Sequence, residues 1–386
     1  MDITELLVMT REREASDLHL TVGNPPTLRI HGKLVRLDYP PLGATSLHEM
    51  LYDVLTDEHK ARFEDTHDLD LSLELQNVGR FRVNVFVQRL GEAAVFRLIP
   101  TVIKGLDQLG MPPVLRTLAT KDRGLVLVTG PTGSGKSTTL AAMVDLMNKE
   151  RTDHIITIED PIEFVHEHKS CIVNQREVGP HTNSFSAALR SALREDPDII
   201  LVGEMRDLET IAMALTAAET GHLVLATLHT NSAAQTVNRI IDVFPPHQQE
   251  QIRVQLSEAL LGILAQTLIP KVDARGRVAA VEMLVANAAI RNLVREGKTF
   301  QIPSMIETGA KEGMISLDQS LRDLLRRGLI SPEDAFRRAI DRDAFAAANP
   351  ARQAPVNSVR PAAGKADASV LRQVGPAAVV GGRDDR

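Results

Sequence analysis

Tryptophan is absent from this chain of 386 residues, and aromatic side chains make up only 3% of it. A protein that grips single-stranded nucleic acid by stacking needs more of them. The net charge of −6 at pH 7 also lacks the basic excess that a nucleic-acid partner requires. The single cysteine, Cys171, excludes an internal disulfide and any zinc site built on several thiolates. No apolar run approaches the roughly 20 residues that cross a bilayer. The opening stretch MDITELLVMTRERE has no apolar core of the signal-peptide kind. The expectation is a cytoplasmic protein with no nucleic-acid partner and at most a peripheral place at a membrane. Apolar residues, at 43%, suffice for full-sized cores, and the length allows two or three domains.

Residues 1–100 read as a small α/β domain. DLHLTV and TLRIHGKLVRL read as strands separated by the turn signal GNPP. LHEMLYDVLTDEHKARFE has helical spacing at Leu47, Leu51, Val54 and Leu55. RFRVNVFVQR alternates, with Phe81, Val83, Val85 and Val87 on one face and Arg82, Asn84 and Phe86 on the other. In AAVFRLIP, Arg97 lies opposite Phe96 and Leu98. The Pro- and Gly-rich stretch 101–118 reads as an interdomain linker. From 119 to 245, continuous apolar runs (LVLVT, HIITI, IILV, HLVLAT) alternate with helical segments, the pattern of a parallel sheet buried on both faces. A helical subdomain is expected over 246–345. The Ala-, Pro-, Gly- and Arg-rich tail 346–386 has no periodicity and is expected to be disordered.

The stretch VLVTGPTGSGKSTTLAAMVDLMN sets Gly130, Gly135, Lys136 and Ser137 in a G-x-x-x-x-G-K-S frame, between an apolar strand and an amphipathic helix. The glycines let the backbone wrap closely, so that its N–H groups face phosphates. The helix points its positive end at the same place. The whole loop, Gly130, Pro131, Thr132, Gly133, Ser134, Gly135, Lys136, Ser137 and Thr138, is therefore the expected ATP cradle. Lys136 is to reach the terminal phosphates, and Ser137 offers a hydroxyl to Mg2+.

In an open parallel sheet, ligands bind beyond the C-terminal ends of the strands. Three further strand ends carry polar groups there. IITI ends in Glu159-Asp160-Pro161-Ile162-Glu163, IILV in Gly203-Glu204, and HLVLAT in Leu228-His229-Thr230. One acid is needed to order the attacking water and another to help hold magnesium. Glu163 and Glu204 fit those tasks by position. Asp160, before a proline, suits a turn or a cap equally well. His229 is placed to contact the γ-phosphate, or to serve as a hydrogen-bonded structural histidine. The acid in IILVGEMRD falls where other P-loop proteins use aspartate, one position late. The HEH at 166–168 is read as solvated loop residues, not a metal site.

Taken together, GPTGSGKST, TIEDPIEF, LREDPDIILVGEMRD and TGHLVLATLHTNSA resemble the Walker A, aspartate-box, Walker B and histidine-box motifs of the secretion ATPase superfamily. That superfamily drives type II secretion and type IV pili. The likeness runs from about residue 15 to about 340. Two features resemble its PilT-type retraction branch. One is the absence of a four-cysteine insertion. The other is AIRNLVREGKTFQI at 289–302 with GMISLDQSLRDLLRRGLIS after it. The resemblance implies an N-terminal PAS-like domain, a RecA-like core and a hexameric ring, with nucleotide between the two domains of one chain. It implies Glu163 as the catalytic carboxylate, Glu204 as the Walker B acid, and His222 with His229 as a histidine pair. It also implies that Arg80, Arg82 and Arg97 reach the phosphates from the N-terminal domain. The implied partners are an inner-membrane platform protein and a second retraction ATPase, at the cytoplasmic face of the inner membrane. The competing readings are a pilus-assembly or secretion ATPase, a PilU-like accessory motor, a DNA translocase, and a nucleotide-binding regulator without turnover.

Overall fold

The computed structural model describes residues 2–346 except 31, 77, 100, 101, 274 and 275. Of the tail expected over 346–386, everything past Ala346 lies outside the described residues. The rest is a mixed α/β fold with two sheets, as expected. No helix among the described residues is long and apolar enough to cross a membrane.

The first sheet is antiparallel. Its strands are β1 (Asp17–Thr21), β2 (Thr27–Ile30), β3 (Lys33–Arg36), β4 (Asp68–Leu75), β5 (Gly79–Gln88) and β6 (Gly91–Ile99), in the order β3-β2-β1-β6-β5-β4. Leu18, Leu20, Phe81, Val83 and Val85 pack with Leu6, Leu7, Leu47, Leu51 and Phe63 of the three helices to form one core. The sequence differs from its structure here in three places. TLRIHGKLVRL is not one strand; it turns at Gly32, where φ is +82°, and folds back as the β2–β3 hairpin. The expected single helix breaks into Ala44–Tyr52 and Asp57–Thr66, because the Thr56 hydroxyl caps a new helix by accepting from His59 N. Val87 is 47% exposed, since the core ends before the strand does.

The second sheet holds β7 (Gly124–Thr129), β8 (His154–Glu159), β9 (Ile172–Glu177), β10 (Ile199–Val202), β11 (Leu223–Leu228), β12 (Leu260–Pro270) and β13 (Arg277–Val285). Their order is β13-β12-β7-β11-β10-β8-β9, all parallel except for the β12–β13 hairpin. Every residue of β7, β10 and β11 is buried, as a sheet covered on both faces requires.

Two boundaries shift. The segment 246–345 is not purely helical: β12 and β13 extend the core sheet, and only from Ala288 onward does the chain stay helical. Those later helices pack Leu321, Leu324 and Phe345 against Ile269 and Ala280 of the hairpin. Within the expected linker, Met111, Leu115 and Leu118 are buried in the second core with Val126, Val128 and Met143. Apolar burial therefore binds the linker's second half to the ATPase lobe. Among the described residues of the linker, the stretch around the exposed Val102 lies outside that core.

Candidate nucleotide-hydrolysing site

The loop after β7 leads into the helix Lys136–Glu150, whose N-cap, Gly135, has φ +90° and no side chain to bond the first N–H groups. The helices that follow β10 and β11 start differently. Asp207 caps one by accepting from Thr210 N, and Ser232 caps the other by accepting from Gln235 N. The uncapped helix leaves its first N–H groups and its positive end for an anion. Lys136 Nζ donates to the carbonyls of Gly130 (3.0 Å) and Pro131 (3.2 Å), folded back on its own loop. The Ser134 hydroxyl is buried without a partner. An open helix start, a foldable lysine and an orphaned hydroxyl fit a polyphosphate.

Gly130 is indispensable on steric grounds. Its φ is +141°, and a Cβ there would meet the Gln266 carbonyl oxygen at 2.2 Å. Gln266 lies in β12 and is buried. Its Nε2 donates to the Ser134 carbonyl (2.7 Å), and its Oε1 accepts from the Thr139 hydroxyl (2.9 Å). One side chain thus fixes both the phosphate loop and the helix after it. The sequence reading missed it; the available signal was an amide inside the apolar run LLGILAQTLIP.

Of the three other strand ends, those after β10 and β11 are in direct contact. Glu204, after β10, accepts from His229 Nε2 (3.0 Å), which follows β11, and from Arg206 Nη2 (2.7 Å). Burial alone would raise the Glu204 carboxyl, but the hydrogen bond from Arg206 and the charges of His229 and Arg206 outweigh it and hold it below its ordinary range. Burial pushes the Lys136 ammonium down, and the negative charges of Glu204 and Glu163 oppose that. Both acids thus act on the phosphate-loop lysine. Gly203 N donates to the Ile158 carbonyl (2.7 Å), and a Cβ at Gly203 would stand 3.1 Å from that oxygen and 3.2 Å from Glu159 Cα. Glycine here lets the ends of β10 and β8 close on each other. Ser137, Gly203, Thr227 and Glu159 line one cavity of about 30 Å³. Glu204 does not line that cavity; of the two residues expected to hold magnesium, only Ser137 does.

Glu159 itself is half-buried, and desolvation pushes its carboxyl up. It accepts from the Thr157 hydroxyl (2.7 Å), from Gln175 Nε2 (3.1 Å) and from Glu163 N (3.4 Å). Glu163, by contrast, is exposed at the mouth of the site. Asp160 sits in the turn between them, before a cis Pro161. In the HEH stretch, His166 is buried rather than solvated, and burial lowers its imidazole to about 4. His168 Nδ1 accepts from Val173 N (3.0 Å).

Four expected residues stand elsewhere. His222 precedes β11 and His229 follows it, so the strand separates them by about 20 Å at 3.3 Å per residue. His222 is at the N-terminal end of β11, remote from the phosphate loop, with Nδ1 on the Ala217 carbonyl (2.9 Å). Arg97 Nε donates to Asp17 (2.8 Å), Arg82 lies 4.0 Å from Asp70, and Arg80 Nη2 donates to Glu177 at the end of β9 (2.5 Å). The alternation that turned Arg82 away from the apolar core is correct; what the arginines meet in this arrangement is carboxylate.

Residues 2–337 match the model of the "Type II/IV secretion system protein" family. The "Type IV pilus retractation ATPase PilT" of Pseudomonas aeruginosa is 55% identical over 339 residues, 88% of this chain and 98% of that protein. A "Twitching motility protein" of Neisseria gonorrhoeae is 53% identical, covering 81% of this chain and 84% of its own. A crystal structure of the pilus retraction motor PilT with bound ADP superposes with a TM-score of 0.84 at 49% identity, covering 89% of this chain and 98% of that one. This chain belongs to the type II/IV secretion system protein family and, within it, to the PilT-type pilus retraction ATPases.

Proposed function

We propose that this chain is an ATP-hydrolysing motor that powers type IV pilus retraction. It works as a homohexamer at the cytoplasmic face of the inner membrane, against the platform protein of the pilus machine and beside a second retraction ATPase. The observation that carries the reading is the convergence of four strand ends of one sheet on an uncapped helix start: Lys136, Glu163, Glu204 and His229.

Phosphoryl transfer to water needs positioning and charge neutralisation, with no covalent intermediate. ATP lays its phosphates on the N–H groups of Gly133 to Ser137, and Lys136 leaves the Gly130 and Pro131 carbonyls to meet them. Glu163, exposed to solvent, orients the attacking water and takes its proton on a carboxylate oxygen. Glu204 and Ser137 would hold magnesium, which would supply positive charge to offset that on the transferring phosphoryl group. Glu204 is engaged by Arg206 and His229, and a magnesium ion would compete with them for its carboxylate. Arg82 and Arg97 reach the phosphates only after the N-terminal domain moves, and the short stretch around 102–105 is the segment free to bend. An arginine at that position is worth roughly 10³–10⁵ in rate. The helix Ala288–Arg295, on which Leu293 is half-buried, is the face through which turnover is transmitted to retraction.

The test is a retraction assay paired with phosphate release, on wild type, Glu204→Ala and Leu293→Ala. Both variants fail to retract, the first with ATPase lost and the second with much of it kept. A deletion strain is expected to carry many surface pili. Bald cells would instead indicate an assembly motor. Phosphate release no higher than a Lys136→Ala control would indicate a regulator.

A further inference from the structure

The loop that carries Glu163 is held from two sides. Glu159 holds Glu163 N, as described. From the other side, Glu177 at the end of β9 accepts from Ile162 N (3.2 Å) through Oε2. The same oxygen accepts from Arg80 Nη2 (2.5 Å) of β5, and Oε1 accepts from the Ser72 hydroxyl (3.0 Å) of β4. Ser72 and Arg80 belong to the N-terminal domain; Glu177 and Ile162 belong to the ATPase lobe. The Glu177 side chain is 6% exposed and that of Arg80 is 15% exposed, so the cluster is largely shielded from water. A shielded carboxylate that loses a donor pays heavily for the loss. The three donors to Glu177 are therefore coupled: where the N-terminal domain stands decides where Glu177 stands, and with it Ile162, one residue before Glu163.

The alternation of the strands makes the contact possible. In β5, Phe81, Val83 and Val85 turn into the N-terminal core, which turns Arg80 and Arg82 outward. Register places Ser72 opposite Arg82 and Glu74 opposite Arg80, so Ser72 shares that outward face. Gln175, two residues before Glu177 on the same strand, accepts from His166 N (2.7 Å) and donates to the Phe164 carbonyl (2.8 Å). The loop from 162 to 166 thus has its main chain read out by β9 at both ends, with the N-terminal domain gripping the end nearer Glu163.

We infer that Glu177 is a positioning residue for hydrolysis, a latch through which Ser72 and Arg80 of the N-terminal domain set the placement of the Glu163 loop. The inference rests on the proposed ATPase reading. In it, Arg80 acts through Glu177 and the loop, and is not one of the groups on the phosphates.

The experiment has one arm that does not depend on turnover. In the nucleotide-free full chain, Glu177→Gln speeds hydrogen exchange in a peptide spanning 161–165 at least tenfold, while a peptide from β7 is unchanged. Unchanged exchange at 161–165 overturns the latch. In the second arm, Glu177→Gln lowers kcat for phosphate release about tenfold and changes KM for ATP less than threefold. Ser72→Ala lowers kcat in the same direction by less, and the Ser72→Ala/Glu177→Gln double variant is no slower than Glu177→Gln alone. A lowered Tm with kcat within twofold of wild type reduces Glu177 to a structural ion pair and overturns the inference. So do singles whose effects multiply in the double. If Glu177→Gln does not fold, Ser72→Ala and Arg80→Lys decide: both accelerate exchange at 161–165 if the latch exists, and neither does if it does not. Wild-type protein that shows the exchange pattern but releases no phosphate would refute the ATPase reading and leave the contact standing.

Discussion

Replacing Gln266 with leucine tests how the phosphate loop is held. The two side chains are close in volume, so the change removes hydrogen bonds without opening a large cavity. It leaves the Ser134 carbonyl without its donor and the Thr139 hydroxyl without its acceptor, both in buried surroundings. A buried polar group left without a partner costs about 1–3 kcal/mol. The Thr139 hydroxyl has a fallback in the Met111 sulfur at 3.8 Å, a weak acceptor. The expected cost is therefore about 2–4 kcal/mol. At about 2–4 °C per kcal/mol for a domain of this class, the unfolding transition of the ATPase lobe falls by roughly 5–15 °C. A second effect is specific to function. With its anchor gone, the main chain around Ser134 must be ordered again when nucleotide binds, at about 1–2 kcal/mol per residue. Each 1.4 kcal/mol is tenfold in affinity, so ADP binding weakens by about tenfold for one released residue. Thermal unfolding followed by circular dichroism and calorimetric titration with ADP read the two effects separately. Thr139→Val, which removes only one of the two bonds, should show the smaller part of each. An unchanged Tm would refute the assigned cost of the orphaned groups. A lowered Tm with unaltered ADP affinity would refute the link between Gln266 and the loop.

Other consequences follow from single observations. Gly130→Ala drives a Cβ to 2.2 Å from the Gln266 carbonyl, whereas a Cβ at Gly133 meets nothing within 4 Å; the first substitution should abolish nucleotide binding and the second should cost only about 1–2 kcal/mol for its left-handed backbone, as thermal shift and ADP titration would show. His166 has a folded pKa of about 4 against 6.5 when unfolded, so the folded state binds fewer protons and its contribution, complete above pH 6.5, is lost as pH falls toward 4. Urea unfolding should register a loss on the order of 2 kcal/mol between pH 6.5 and 5, and His166→Gln should flatten that slope. His222→Ala should leave ADP affinity within threefold of wild type, because the residue lies at the other end of β11; a larger change would contradict its placement.

The sequence by itself determined the chemistry that local spacing can encode. Gly130 to Ser137 form a phosphate loop because a strand, a glycine turn and a helix follow one another within a few residues. Glu163, Glu204 and His229 could be placed because each follows a buried apolar run, and the ends of parallel strands share one edge. The family motifs were legible for the same reason, since each is a contiguous string at a strand end. Where two histidines of one string fall at opposite ends of a strand, the string misleads, as with His222. Only the tertiary structure decided which distant residues complete the site. Gln266 reaches Ser134 across 132 positions, and Glu177 takes donors from Ser72 and Arg80 across about a hundred. Such contacts are set by strand order and by the seating of one domain on another. No local pattern records that β12 lies beside β7, or that the outward face of β5 meets the end of β9.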